Sequence, residues 1–318
     1  MKNKGIHYPE PRKMEFYELE DPPADLKFTE ILLETLYSGI TNGTERHALM
    51  AEHGWDEFPG RHGYQHIARV LKTGDGVKDF GEGDIVFLGE YVGHRGWHVV
   101  DICQGSPLCI KLPRDIHHEY CALLGVAGVA MRGVRRFRVR AGDNVWVAGQ
   151  GLIGLFAGQC ARAMGARVAV SDVNTERLRI AEELGGHTVI NAGDEGLWDQ
   201  LKEDGPYSHI IDACGVRNLF LDVYRQKLLA RKGVIGALAV RDETVINWHT
   251  FHTREASLEV SCHFSVDDLR LLLHFIKQDI IKIAPVVTHQ VGIDDAPDIY
   301  TSLRDKPGDL LGVIFNWQ

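Results

Sequence analysis

The chain has 318 residues, 44% hydrophobic and 25% charged, with 35 Lys and Arg against 44 Asp and Glu for a formal charge of −9. That length supports two domains with separate cores, and dispersed cations on an acidic chain argue against nucleic acid or an anionic membrane as the partner. The start, MKNKGIHYPEPRKMEFYELEDPP, lacks the apolar stretch of a signal peptide, and the most apolar run, Cys121–Met131, is too short to span a bilayer, so a cytoplasmic protein is expected.

Up to about Leu112 the pattern is one of short strands and turns. The alternating runs EILLETLYSG (30–39), HIARVLKTG (66–74) and DIVFLG (84–89) are separated by GDG, GEGD and HRG. Near Pro113 the texture changes. HHEYCALLGVAGVAMRGVRRF reads as a helix, with Leu123, Val126, Val129 and Val134 among its apolar positions. The apolar strands DNVWVAG, ARVAVSD, SHIIDACG and KGVIGALA follow. Two helices lie among them, GLFAGQCARAMG and TERLRIAEELG, the second with Leu178, Ala181 and Leu184 on one face. This alternation predicts a parallel sheet covered on both faces. After a strand in ASLEVSCHF and a helix in VDDLRLLLHFIKQ, the chain ends in the β-like pieces VVTHQVGI and DLLGVIFNW. Because the tail resembles the front, the chain is divided as a β-rich domain at 1–118 and 265–318, interrupted by a nucleotide-binding domain at 119–264.

None of the six cysteines forms a C-x-x-C pair, and they read as reduced, buried thiols. His249 with His252, and His94 with His98, have no carboxylate or thiol beside them at ligand spacing, so no metal is assigned to either pair.

VWVAGQGLIG carries Gly149, Gly151 and Gly154 as G-x-G-x-x-G, entered from an apolar strand and opening a helix. That context is what a dinucleotide needs. Gly149 permits the tight turn, Gly151 lets backbone approach a pyrophosphate, and Gly154 lets the helix pack close to the strand. The phosphates would meet the N–H groups at the helix start, around Leu152 and Ile153. Asp172 ends the next strand, 18 residues past Gly154, at the spacing of a carboxylate that binds the adenosine ribose hydroxyls. Val173 and Asn174 follow with no adjacent Arg for a 2′-phosphate, so NAD is expected over NADP, with Arg177 along the ribose edge. Cys214, Gly236 and Leu238, near the ends of two later strands, complete the expected cofactor contacts.

Taken in order, SGITNGTERH, FPGRHGYQHIARV, GEGDIVFLG, GQGLIG…SDVNTERLRIAEELG, ASLEVS and KPGDLLGVI resemble the medium-chain dehydrogenase/reductase superfamily of alcohol and polyol dehydrogenases, over nearly the whole chain. GITNGTE and GYQ are similar to the subgroup typified by bacteriochlorophyllide a dehydrogenase. The resemblance implies an α/β fold: a Rossmann doubly wound parallel sheet inserted in a β-rich GroES-like catalytic domain.

The departures from the zinc-type pattern carry the chemistry. Thr41 and Asn42 stand where those members have a ligand Cys, with one residue extra. Tyr64 and Gln65 replace the His and Glu of G-H-E, and the fourth ligand falls near Gly125. The four-cysteine lobe of a structural zinc is absent, so no zinc is expected. The family's proton path is retained. Thr44 stands where a Ser or Thr touches the reacting oxygen, and His47 where the proton passes to solvent through the nicotinamide ribose hydroxyl. Tyr64 either reaches the substrate oxygen in the vacated metal position or packs in the core with its hydroxyl satisfied. Glu45, which in zinc members supports the metal shell, could orient Tyr64 or pair with Arg46. Asn42, Gln65 and Trp97 are candidate pocket residues.

The expected activity is hydride transfer between NAD and a secondary alcohol or ketone, with no nucleic-acid or membrane partner. A zinc-free enoyl or quinone reductase and a non-catalytic NAD-binding protein are the alternatives. The strand in REASLEVSCHF is where family members pair edge to edge, so a homodimer is expected.

Overall fold

The computed structural model describes residues 2–52, 54, 57–103, 108–241 and 243–318. It divides the chain into two units, Met1–Gly125 with Val287–Gln318, and Val126–Val286. The first unit opens with an antiparallel pair, β1 (Lys4–His7) and β2 (Glu15–Glu18). Then come β3 (Glu30–Gly39), α1 (Asn42–Met50), β4 (His66–Thr73), β5 (Ile85–Leu88), β6 (Trp97–Asp101) and β7 (Cys109–Lys111). The three strands expected from alternation form where the periodicity puts them. SGITNGTERH is the end of a strand and the start of a helix, with Thr41 at the N-cap.

After a 3₁₀ turn at Tyr120–Leu123, α2 (Leu124–Arg136) leads into the second unit. It continues with β8 (Asn144–Ala148), α3 (Leu152–Ala163), β9 (Arg167–Asp172), α4 (Thr175–Glu183), β10 (Thr188–Asn191), α5 (Leu197–Asp204) and β11 (Tyr207–Asp212). α6 (Leu219–Arg225), β12 (Leu229–Ala237), α7 (Trp248–Arg254), β13 (Ser257–Val260) and α8 (Val266–Lys277) complete it. The sheet is parallel throughout, in the order β10-β9-β8-β11-β12-β13. Numbered within the sheet this is 3-2-1-4-5-6, the doubly wound order of dinucleotide-binding domains. Val145, Val147, Val168, Val170, Ile210 and Ile211 are all buried, as strands covered on both faces require.

The chain then returns to the first unit with β14 (Val287–Gly292), α9 (Ala296–Asp305) and β15 (Gly312–Asn316). β15 pairs antiparallel with β3, in the order β14-β15-β3-β4-β5-β7, with β6 also on β3. The two ends of the chain thus share one sheet and one core, in which Ile6, Ile40 and Leu49 cluster with Tyr300, Phe315 and Trp317.

The division falls after Gly125 and after Val286, where sequence had suggested 118 and 264. Side-chain packing explains the later return. Phe264 and Leu269 lie against Gly128 of α2, and the fully buried Asp268 of α8 pairs with Arg132 and Arg135. Lys282 exchanges two hydrogen bonds with Gln159 of α3. α8 is therefore a helix of the nucleotide unit.

Candidate active site

In the second unit, β8 runs into Gly149 at φ +94°, and a Cβ there would stand 2.7 Å from that of Cys214. A Cβ on Gly154 would lie 1.8 Å from the Gly149 carbonyl oxygen, so α3 starts closer to the turn than any side chain allows. Gly151 is the N-cap of α3, with open space where its Cβ would be and no capping side chain. The first-turn N–H groups, those of Leu152 and Ile153 among them, have no intrahelical acceptor and suit an anion. Asp172 bridges the loops: one carboxylate oxygen accepts from Gln150 N–H at 2.5 Å and the other from Asn174 N–H at 2.8 Å. Gln150, which sequence reasoning missed, is fully buried and ties its amide to the carbonyls of Val147 and Gly149. Asn174 caps α4 by accepting from the N–H groups of Glu176 and Arg177, which sets Arg177 in the first turn.

Cys214, exposed although the sequence reads as placing the cysteines inside, lies against the glycine turn, its N–H and thiol directed at Asp212. Gly236 and Leu238 also have packing roles. A Cβ on Gly236 would strike the Phe137 ring, and the buried Leu238 fills the space left by Gly133 of α2.

In the first unit, β3 delivers Gly39 and Ile40 to the start of α1. Thr41 gives its N–H to Glu45 Oε1 at 2.8 Å, and its Oγ1 accepts from Gln65 Nε2 at 3.0 Å. The fully buried Gln65 also donates to the Gly39 carbonyl at 3.3 Å. A Cβ on Gly125 would stand 2.8 Å from both Gln65 Oε1 and Tyr64 Cε2, so those two side chains occupy the space in front of it. Tyr64 is buried, its ring 4.9 Å from that of Tyr91.

Glu45 is 2% exposed. Its Oε2 accepts from the Tyr300 hydroxyl at 2.6 Å and lies 3.1 Å from His94 Nε2. His94 Nδ1 meets Ser38 Oγ at 2.8 Å, and Ser38 accepts from Trp317 Nε1 at 2.9 Å. Burial, the largest influence, pushes the Glu45 carboxyl up; the charge and hydrogen bond of His94, with the Tyr300 and Thr41 donors, outweigh it and hold the group below its usual range. Burial, followed by the Glu45 charge, drives the Tyr300 phenol well above its usual range. Arg46 pairs with Glu52, at 2.9 Å, so the suggested Glu45–Arg46 pair is replaced by the buried one.

Thr44 and His47, three apart on α1, are both partly exposed, and His47 Nε2 is 3.3 Å from Glu52 Oε2. Asn42 donates to the carbonyls of Leu310 and Leu311, at 3.1 and 2.8 Å, which ties α1 to the chain end. Trp97, a pocket candidate by sequence, is a core residue of β6 that pairs with Glu34 of β3 and carries Arg95 over its ring. Among the described residues no group of three or more His, Cys, Asp or Glu is placed to hold a metal ion.

Residues 153–278 match the zinc-binding dehydrogenase family. The L-threonine 3-dehydrogenase of Idiomarina loihiensis is 24% identical over 327 residues, covering 91% of this chain and 93% of that one. These matches agree with the resemblance of the chain to the medium-chain dehydrogenase/reductase superfamily. Its fold matches the 2R,3R-butanediol dehydrogenase of Bacillus subtilis with TM-score 0.84 at 19% identity, covering 99% of each chain. The alcohol dehydrogenase rspB of Escherichia coli CFT073, solved with NADH, gives TM-score 0.86 at 19% identity, again over 99% of each chain. The family match and the relatives support an oxidoreductase of the NAD(P)-dependent alcohol dehydrogenase type.

Ser38, His94, Tyr300 and Trp317 surround the site without having been expected there. EYVGHRGWH had drawn attention to His94 only as half of a His94/His98 pair. No local signal couples positions 45, 94 and 300, which meet only once β15 closes on β3.

Proposed function

We propose that this chain is a zinc-independent, NAD-dependent dehydrogenase of the medium-chain dehydrogenase/reductase superfamily that moves hydride between a secondary alcohol carbon and the nicotinamide. One observation carries the zinc-independent part: Thr41, in the family's cysteine position, spends its hydroxyl on Gln65, while Gln65 and Tyr64 fill the space before Gly125. Hydroxyl and amide groups are a weak donor set for Zn²⁺, which takes thiolate, imidazole and carboxylate. The residues do not fit the metal.

The energetic consequence is large. Zinc brings bound water from a pKa of about 15.7 to about 7, on the order of 12 kcal/mol of oxyanion stabilisation. One hydrogen-bond donor contributes roughly 3–4 kcal/mol. The substrate alcohol is therefore one activated by a neighbouring carbonyl, a second oxygen or a conjugated ring, with Tyr64 as a second donor beside Thr44. Proton movement runs from the substrate oxygen through Thr44 to His47, whose partly exposed ring communicates with solvent. Glu45 is a positioning residue: through Thr41, His94 and Tyr300 it holds the start of α1.

NAD is preferred because a 2′-phosphate would meet the Asp172 carboxylate at the end of β9. A secondary alcohol accords with the named substrates of two relatives, L-threonine at C3 and 2,3-butanediol. The edge position of β13, with Val260 62% exposed, supports a homodimer, which a light-scattering mass tests. The deciding experiment follows NADH absorbance across a panel of secondary alcohols and ketones, beside elemental analysis of the purified protein. Turnover undiminished by a chelator in metal-free protein is expected. Stoichiometric zinc whose removal abolishes turnover, or NADPH-dependent reduction of conjugated C=C bonds alone, overturns the reading.

A further inference from the structure

At the opposite end of the nucleotide-unit strands from the glycine turn lies a cavity of about 350 Å³. It opens where α6 and α7 end and β12 begins, whereas Gly149 follows the C-terminal end of the parallel strand β8. Its walls carry Arg225, Lys227 and Arg254, with Tyr224 and the two hydroxyl residues Thr250 and Thr253. No Asp or Glu lines it among the described residues. Arg225 has Asp222 at 3.6 Å, a loose pair exposed to solvent, and no ion pair engages Lys227 or Arg254 among the described residues. Thr250 is 3% exposed, and its hydroxyl has no hydrogen-bond partner. Buried hydroxyls are ordinarily partnered.

The positive charge exceeds what the helices call for. Two helix C-termini contribute at most about one negative charge between them, against three cationic side chains. The sequence concentrates further cations here on an otherwise acidic chain: Arg225, Lys227, Arg231 and Lys232 lie within YRQKLLARK, and of these Arg231 is paired with Glu255. The cavity volume is at the small end of ligand sites, about 300–1,000 Å³.

We propose that this cavity binds a small phosphate monoester. Guanidinium and ammonium groups neutralise its charge, close to two at neutral pH, a threonine hydroxyl donates to a phosphate oxygen, and the Tyr224 ring faces the organic part. The site is separate from the dinucleotide's pyrophosphate position and requires none of the catalytic residues.

The test is calorimetric titration of the full chain with inorganic phosphate and with glycerol 3-phosphate, each with and without saturating NADH. Both probes are expected to bind with NADH present. Lys227→Glu, at an exposed position, should weaken binding at least tenfold with Tm and NADH affinity unchanged, and Arg254→Glu should do the same. Binding that NADH displaces, that survives Lys227→Glu, or that is absent from the unaltered chain overturns the proposal. Tighter binding of glycerol 3-phosphate than of inorganic phosphate supports an organic ligand; equal or weaker binding overturns the monoester assignment.

Discussion

Glu45→Ala should be among the most damaging single changes in the first unit. The carboxylate is the acceptor for Thr41 N–H at 2.8 Å and the Tyr300 hydroxyl at 2.6 Å, and the partner of His94 Nε2 at 3.1 Å. Its removal leaves three buried polar groups without this acceptor, at about 1–3 kcal/mol each. These costs overlap, so a loss of about 3–5 kcal/mol is expected, much of a typical domain's 5–15 kcal/mol. Glu45→Gln keeps the shape and one good acceptor but turns an NH₂ toward a donor, and should cost about 1–3 kcal/mol. Urea unfolding, read as midpoint times slope, measures both.

The acid limb supplies a second reading. A carboxyl held below its unfolded value of about 4.3 contributes stability above that pH, which is lost as pH falls through the folded value. Glu45→Gln removes this part of the acid dependence. An Ala variant within about 1 kcal/mol of the unaltered protein would mean that the network does not hold the start of α1.

His66 and His98 are fully buried, with ring centroids 4.6 Å apart, the ring nitrogens of His98 have no hydrogen-bond partner, and burial drives both well below the ordinary imidazole range. Below about pH 6.5 the unfolded chain takes up protons that the folded chain refuses, so stability falls with pH by about 1.4 kcal/mol per unit for each histidine. His98→Leu should remove one such share of the slope, read from urea midpoints between about pH 5 and 7; an unchanged slope refutes it. Gly154→Ala forces a Cβ to within 1.8 Å of a backbone oxygen, so α3 must shift, at a cost of about 1–3 kcal/mol and at least tenfold in NADH affinity by fluorescence titration. Unaltered affinity would deny the close approach any role in binding. His47→Ala should slow alcohol oxidation at low pH while NAD affinity stays nearly constant and stability moves by no more than about 0.5 kcal/mol, since the ring is 40% exposed. An unchanged pH–rate profile on the true substrate would remove the relay.

Alternation along 30–39 and 66–74, the apolar strands and the glycine spacing are near-neighbour signals. They made the parallel sheet, the dinucleotide turn and the interrupted β-rich domain legible in the amino-acid order alone. The motif substitutions at Thr41, Tyr64 and Gln65 were equally legible, because a donor's chemistry belongs to the residue whatever its surroundings. Tertiary structure alone decided the roles that depend on distant partners. It withdrew Glu45 into the core by bringing His94 and Tyr300 to it, buried Trp97 in β6, gave Gly236 to Phe137, and joined α8 to the nucleotide unit through Asp268 and Leu269. Periodicity records which face of an element is apolar. Which polar group meets which across 200 residues is set only when burial forces each of them to find a partner.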